Sequence, residues 1–198
     1  AGCSKTENQS NQEVMEYPES KKGDVEDNYF GTIVKDPYRW MEMDTSAEVK
    51  DWIKRQNAFT NSYLEKIPFR AKVEERLTKL FNYPKFSAPF RKGERLFYFK
   101  NSGLQDQSVL YMQKDGEEES VLIDPNSLSS EGTVALTSIG FSGDYKYMSY
   151  ALSAVGSDWK NLHIRNMETG EEMPEILDRL KFGGAAWYKD GFFYSAYD

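Results

Sequence analysis

The chain has 198 residues, 39% of them apolar and 15% aromatic, which is enough for a hydrophobic core in one large or two small domains. Its net charge of −7 argues against nucleic-acid binding, because phosphates are bound by clustered lysine and arginine. A single cysteine excludes an internal disulfide, the lone histidine leaves little for a metal site, and no apolar run approaches the roughly 18 residues of a membrane helix. We therefore expect no cofactor and no metal ion.

Residues 1–18 predict a flexible tether in front of a folded body. The chain opens Ala1-Gly2-Cys3, and small residues before a cysteine resemble the end of a bacterial lipoprotein signal, in which the cysteine is lipidated. The polar residues 5–12 cannot bury apolar surface. A lipidated Cys3 would anchor the protein to a membrane, in the bacterial periplasm or outer membrane. The alternative is an arbitrary chain start and a cytoplasmic protein, which mass spectrometry of the native protein would reveal.

The next segment predicts an ordered strap. Residues 27–32 are turn-like, and Pro37 forces the residue before it toward extended geometry. The aromatic side chains of residues 36–42 are therefore expected to pack against another element.

Two amphipathic helices are predicted after the strap. Thr45 and Glu48 fit a capping box, and an apolar face follows at helical spacing to about Lys66. The second helix is predicted from Pro68, a favoured first helical position, and Pro84 stops it. The two apolar stripes cover each other only partly. The remaining surface is expected to need a further partner, outside this chain.

An aromatic pattern recurs three times in the second half of the chain. Phe90, Phe141 and Trp187 each stand just before a polar turn that contains glycine, and aromatic-rich runs flank each turn. The three positions lie about 50 residues apart. Each copy predicts a β-hairpin, and a unit that repeats every 40–50 residues is typical of a propeller blade. Any meander of hairpins is the alternative.

The strands of two blades are predicted from alternation and turn residues. The first blade is assigned strands near 86–90, 95–100, 108–113 and 119–123. The second blade is assigned strands near 134–141, 145–152, 160–167 and 171–176. A third blade starts near Leu180 and has two strands. Such a piece cannot close a ring and leaves unpaired strand edges, so the chain is expected to be a fragment or a truncated gene product.

Long motifs then resemble a known family. The string Asp36-Pro37-Tyr38-Arg39-Trp40-Met41-Glu42 resembles the N-terminal signature of the prolyl oligopeptidase family. Further similar stretches are found at 83–90, 97–111, 122–126, 132–136 and 153–159. The resemblance extends over nearly the whole chain from Tyr17 to Asp198.

The resemblance implies an architecture. The fold class would be mainly β with N-terminal α-helices, comprising the first blades of a seven-bladed β-propeller and a helical segment that packs on an α/β-hydrolase domain absent from this chain. Residues 19–81 would belong to the hydrolase domain. Residues 82–198 would be blades one, two and part of three.

The resemblance also implies a function. The whole protein would be a serine-type endopeptidase that cleaves short peptides on the C-terminal side of proline, with the propeller gating substrates by size. No Gly-x-Ser-x-Gly occurs in the chain, and the only histidine, His163, is interpreted as a solvated strand residue. The catalytic triad would lie in the family's C-terminal part. This chain alone is therefore expected to be inactive, and no catalytic residue is assigned to it.

Two residues are implied by the resemblance to contact substrate. Asp158 would orient, through paired hydrogen bonds, the arginine that holds the peptide. Phe182 would line a substrate side-chain pocket facing the hydrolase domain. The alternatives are a turn residue beside Trp159 and a core aromatic. The family commonly has other residues where Gly183 and Gly184 stand.

Two other functions stay open. One is an oligopeptidase of the same superfamily with a different specificity. The other is a non-catalytic propeller that acts as a binding module, although such modules lack the strap and helices of residues 36–81. The expected partners are short proline-containing peptides and the C-terminal hydrolase domain of the same protein.

Overall fold

The structure is a computed structural model that describes residues 15–197. The chain divides into two compact units, with the boundary between Glu75 and Arg76. Cys3 lies outside the described residues, so its lipidation stays a prediction. Within residues 15–197 no helix is long and apolar enough to cross a membrane.

The first unit begins with a hairpin that the sequence indicated only as a turn. Strands β1 (Glu26–Tyr29) and β2 (Thr32–Lys35) pair antiparallel. Phe30 and Gly31 form the turn with positive φ of 54° and 96°, and the Gly31 amide donates to Asn28 Oδ1 at 2.7 Å. The turn prediction for 27–32 is therefore right only at its centre.

The strap after the hairpin includes a short 3₁₀ helix, Arg39–Glu42. Its aromatic residue Trp40 meets the Trp52 ring edge to face at 6.2 Å, and Trp40 Nε1 donates to the Lys21 carbonyl at 3.0 Å. Trp40 thus packs against a helix, as expected, whereas Tyr38 is exposed.

Helix α1 spans Ala47–Glu65, and its N-cap differs from the prediction. Ser46 Oγ, not Thr45, accepts a hydrogen bond from the Val49 amide at 3.2 Å. Ser46 has the extended backbone of a cap residue, so the predicted capping box is wrong by one residue. The side chain three residues after Ser46 is Val49, which cannot close a box.

Helix α2 spans Arg70–Phe81, two residues later than the predicted start at Pro68. No residue of α2 is buried. Its apolar stripe is exposed and consists of Val73, Leu77, Leu80 and Phe81. An exposed apolar stripe on an amphipathic helix is typical of a surface that binds a further partner.

The first blade contains five strands. They are β3 (Lys85–Phe86), β4 (Phe90–Lys92), β5 (Arg95–Asn101), β6 (Val109–Lys114) and β7 (Ser120–Ile123). Strands β3 and β4 both pair with β5, which pairs with β6, and β6 pairs with β7. The predicted strand 86–90 is thus broken in two, because Ser87 Oγ accepts from the Phe99 amide and Pro89 has no amide hydrogen for the ladder.

The second blade is a four-stranded antiparallel sheet in the order β11-β10-β9-β8. Its strands are β8 (Val134–Phe141), β9 (Tyr147–Ala154), β10 (Lys160–Asn166) and β11 (Leu177–Leu180). The predicted fourth strand at 171–176 is wrong, since only Glu172 makes an isolated bridge there, to Arg165. Pro174 interrupts the predicted ladder because it has no amide hydrogen.

The third hairpin consists of β12 (Ala186–Tyr188) and β13 (Gly191–Phe193). Leu180, the predicted start of a third blade, instead ends β11 and is fully buried with Ala151 and Leu162. The first strand of the third hairpin therefore begins six residues later than predicted.

The second blade has packed residues on both of its faces. On one face of the second blade, Met148 and Tyr150 pack with Phe97 and Leu110 of the first blade. On the opposite face, Ala151, Leu162 and Leu180 form a separate cluster, against which Phe192 of the third hairpin packs. Face-to-face packing of successive antiparallel sheets is the arrangement of propeller blades.

The three repeated aromatics occupy the hairpins as predicted. Phe97 lies between Phe90 and Phe141, with ring centroids 5.4 and 4.9 Å away. Trp187 stacks on Tyr147 at 6.3 Å. The aromatic repeat therefore lies at the contacts between the two blades and between the second blade and the third hairpin.

Candidate functional site

The register of the second blade brings the two predicted substrate residues to one end of the sheet. Lys160 of β10 pairs with Leu180 of β11 in antiparallel register. The residues just outside this pair also meet, because Lys181 Nζ lies 4.4 Å from the centre of the Trp159 ring. Asp158 and Phe182 are the next residues along the same two segments.

A strained turn sets the direction of Asp158. The β9–β10 hairpin turns at Val155 and Gly156, both with positive φ, of 54° and 68°. Positive φ is rare for a β-branched residue and is costly unless the surroundings enforce it. Ser157 then stabilises the segment, since its amide donates to Ala154 and its Oγ accepts from the Trp159 amide at 3.1 Å. Asp158 lies between these two anchored residues and is exposed.

Phe182 is exposed rather than packed in the core, with 71% of its surface accessible. Gly183 follows with φ of 83°, and a side chain at Gly184 would come within 2.9 Å of Ser138 Oγ. Gly183 and Gly184 thus allow the segment after Phe182 to bend and pass close to β8.

A pocket of about 460 Å³ with a mixed polar and apolar lining adjoins the β9–β10 turn. Residues from the linker after β7, from β8, from β9, from the turn and from β10 line it, among them Leu128, Leu152, Trp159 and His163. The pocket was not indicated by the sequence, because its walls come from segments that are far apart along the chain.

His163 is not the solvated strand residue that the sequence indicated. Its ring stacks on Tyr150 with centroids 5.1 Å apart, and it is half-buried. Burial lowers the pKa of His163 below its usual 6.5, and the Glu172 carboxylate opposes this only partly. The alternation of Leu162, His163 and Ile164 misled because both faces of the sheet are covered, so neither face is the solvent face.

Comparison with known proteins decides the family. Residues 17–198 match the family model described as "Prolyl oligopeptidase, N-terminal beta-propeller domain". The chain belongs to the prolyl oligopeptidase family. The predicted membership and the predicted fold class, helices followed by propeller blades, are thereby confirmed.

Curated members of the prolyl oligopeptidase family are similar over most of the chain. A prolyl endopeptidase from Elizabethkingia meningoseptica is 44% identical over 189 residues, which is 95% of this chain and 27% of that protein. Prolyl oligopeptidase A from Amanita bisporigera is 36% identical over 210 residues, covering 91% of this chain and 28% of that protein. The chain thus spans about a quarter of the length of these relatives.

Solved structures of the family have the same fold. A chain from a structural and mechanistic study of two prolyl endopeptidases is 32% identical, with a TM-score of 0.76 over 89% of this chain and 27% of that one. Prolyl oligopeptidase B from Galerina marginata, bound to a 35-residue substrate of hydrolysis and macrocyclization, gives a TM-score of 0.72 at 30% identity. The match covers 92% of this chain and 29% of that structure.

The two residues predicted to contact substrate have side chains that suit binding. The exposed Asp158 carboxylate can accept two parallel hydrogen bonds from a guanidinium, and Phe182 offers an apolar face. Within residues 15–197 no three or more His, Cys, Asp or Glu side chains are arranged to hold a metal ion. In the acidic run 117–119, Glu119 instead pairs with Lys100 at 2.9 Å.

Proposed function

We propose that this chain forms the N-terminal helices and the first blades of a serine-type endopeptidase that cleaves short peptides on the C-terminal side of proline. The observation that carries the proposal is the match of residues 17–198 to the prolyl oligopeptidase family, together with curated relatives that are prolyl endopeptidases. The nucleophile, the base and the oxyanion hole would come from the catalytic domain of the whole protein.

The two predicted domains of the chain would then have different tasks. Residues 19–81 would belong to the catalytic α/β-hydrolase domain, and the exposed apolar stripe of α2 supports this assignment because it offers a ready docking face. Residues 82–198 would begin the propeller, which would admit short peptides and exclude folded proteins from the buried active site.

Asp158 and Phe182 would be the residues of the propeller that help to bind the substrate. Asp158 would orient the arginine that holds the peptide, and Phe182 would line a side-chain pocket. Their position at one end of the second blade, both exposed, supports a shared role.

Cleavage assays on the full-length protein test the proposal. We expect hydrolysis of a fluorogenic peptide with proline before the scissile bond, and no detectable hydrolysis of matched peptides with alanine or lysine there. The 198-residue chain alone should cleave none of them. Preferred cleavage after lysine would favour the related oligopeptidase, and binding without any cleavage would favour the non-catalytic propeller.

A further inference from the structure

We propose that Lys181 is a positioning residue for the substrate-contacting end of the second blade. Its ammonium group, which lies over the rings of both Trp159 and Tyr197, would fix the two segments that carry Asp158 and Phe182. This inference rests on the proposed function of those two residues and deepens it.

Three segments that are distant in sequence meet at Lys181. Its Nζ atom lies 4.4 Å from the centre of the Trp159 ring and 5.8 Å from the centre of the Tyr197 ring. The two rings meet edge to face at 5.8 Å. The Tyr197 amide also donates to the Arg179 carbonyl at 3.0 Å, which ties this third segment to β11. We call Trp159, Lys181 and Tyr197 the aromatic clamp.

The clamp is placed where it controls both site residues. Asp158 directly precedes Trp159, and Phe182 directly follows Lys181. A shift of the backbone at Trp159 or Lys181 therefore moves the neighbouring site residue. Neither site residue is held by burial. Among residues 15–197 the Asp158 carboxylate also forms no hydrogen bond or ion pair, so its direction depends on the backbone that the clamp restrains.

The clamp also keeps the Asp158 carboxylate available for a guanidinium, because it holds the Lys181 ammonium elsewhere. A lysine that lies against the residue next to a carboxylate would ordinarily be a candidate partner for that carboxylate. Here the ammonium of Lys181 lies against two aromatic faces and forms no ion pair within the described part of the chain. The rings satisfy the cation through their π faces, and Asp158 is left free for a guanidinium.

The test compares three variants of the full-length protein. Lys181→Met keeps the length of the side chain and removes its charge, and Lys181→Arg restores a cation. Lys189→Met is the matched control, because Lys189 lies 5.3 Å from the Tyr188 ring in the turn of the third hairpin. The readouts are KM and kcat for a proline-containing peptide and hydrogen exchange of peptides spanning 155–160 and 181–184.

We expect Lys181→Met to raise KM about two- to fivefold at unchanged kcat, because removal of a cation–π interaction at an exposed site weakens substrate binding by that factor. Exchange should become faster in both segments. Lys181→Arg should restore both readouts, and Lys189→Met should change neither.

Two results would overturn the inference. Unchanged exchange in Lys181→Met would mean that Lys181 holds nothing in place, and faster exchange at unchanged KM would mean that the clamp does not position substrate-binding groups. A wild-type protein without peptidase activity would refute the proposed function instead. In that case the exchange comparison by itself still decides whether Lys181 holds the two segments.

Discussion

His163 lies with its ring stacked on Tyr150, on the face of the second blade that packs against the first. The neighbouring Tyr150 is buried, and burial is the main cause that raises the pKa of its hydroxyl, with Glu172 adding to the effect. The two rings thus share an environment that disfavours charge. A residue that sequence alternation assigns to solvent therefore becomes part of the packing between blades.

This environment predicts a pH dependence of stability. Because burial lowers the pKa of His163 in the folded chain below 6.5, the folded state binds its proton less readily than the unfolded state does. The contribution of His163 to stability is present above about pH 6.5 and is lost as the pH falls below that value. Urea unfolding of wild type and His163→Phe between pH 5 and pH 8 measures the effect.

The variant His163→Phe keeps an aromatic ring for stacking on Tyr150 but cannot titrate. Its stability should fall less than that of the wild type between pH 6.5 and pH 5, over which range the carboxylates of both proteins titrate alike. Parallel pH profiles for the two proteins would contradict the assignment.

At the level of single elements, the start of α1 is defined more by one capping side chain than by the motif around it. Ser46 accepts from the Val49 amide, which is one of the four amides that a helix start leaves unpaired. Thr45 lies one residue too early to do so. The helix itself is predictable from its apolar period, whereas the choice between two adjacent hydroxyl residues depends on the backbone angles that the strap imposes.

Two matched substitutions test this difference. Ser46→Ala should cost about 1 kcal/mol of stability, because it removes the cap. The same change at Thr45 should cost less than about 0.5 kcal/mol. Thermal unfolding followed by circular dichroism at 222 nm compares the two variants. A larger loss of stability for Thr45→Ala would show that the predicted capping box was right.

For the chain as a whole, the exposed apolar stripe of α2 is the feature that indicates a missing partner. Leu77 and Leu80 are 48% and 50% exposed, although they belong to the apolar face of a regular helix. The blades show the contrast, since Phe97 and Leu110, where the blades pack together, are completely buried. An exposed apolar stripe like that of α2 is expected where another domain docks.

This contrast predicts a dependence on context. The double substitution Leu77→Ser and Leu80→Ser should change the stability of the 198-residue chain by no more than about 1 kcal/mol, chiefly through helix propensity. In the full-length protein it should cost about 3 kcal/mol or more, because two leucines would lose their burial. Thermal unfolding of both forms measures this, with Lys72→Ser on the same helix as control. Equal losses of stability in both forms would refute the docking role.

The features that could be predicted from the sequence are those that depend on local period and turn chemistry. These are the two helices, the three aromatic hairpins and the long family motifs, because a helical or alternating pattern is complete within a few residues. The break at Ser87 to Pro89, the late start of β11 and the surroundings of His163 became visible only in the folded chain. The same is true of the meeting of Trp159, Lys181 and Tyr197. The first two reflect Pro89 and Pro174, whose missing amide hydrogens are local signals that the strand predictions did not take into account. The surroundings of His163 and the meeting of the three residues depend instead on partners tens of residues away and on which face of a sheet is covered, and a local pattern contains neither.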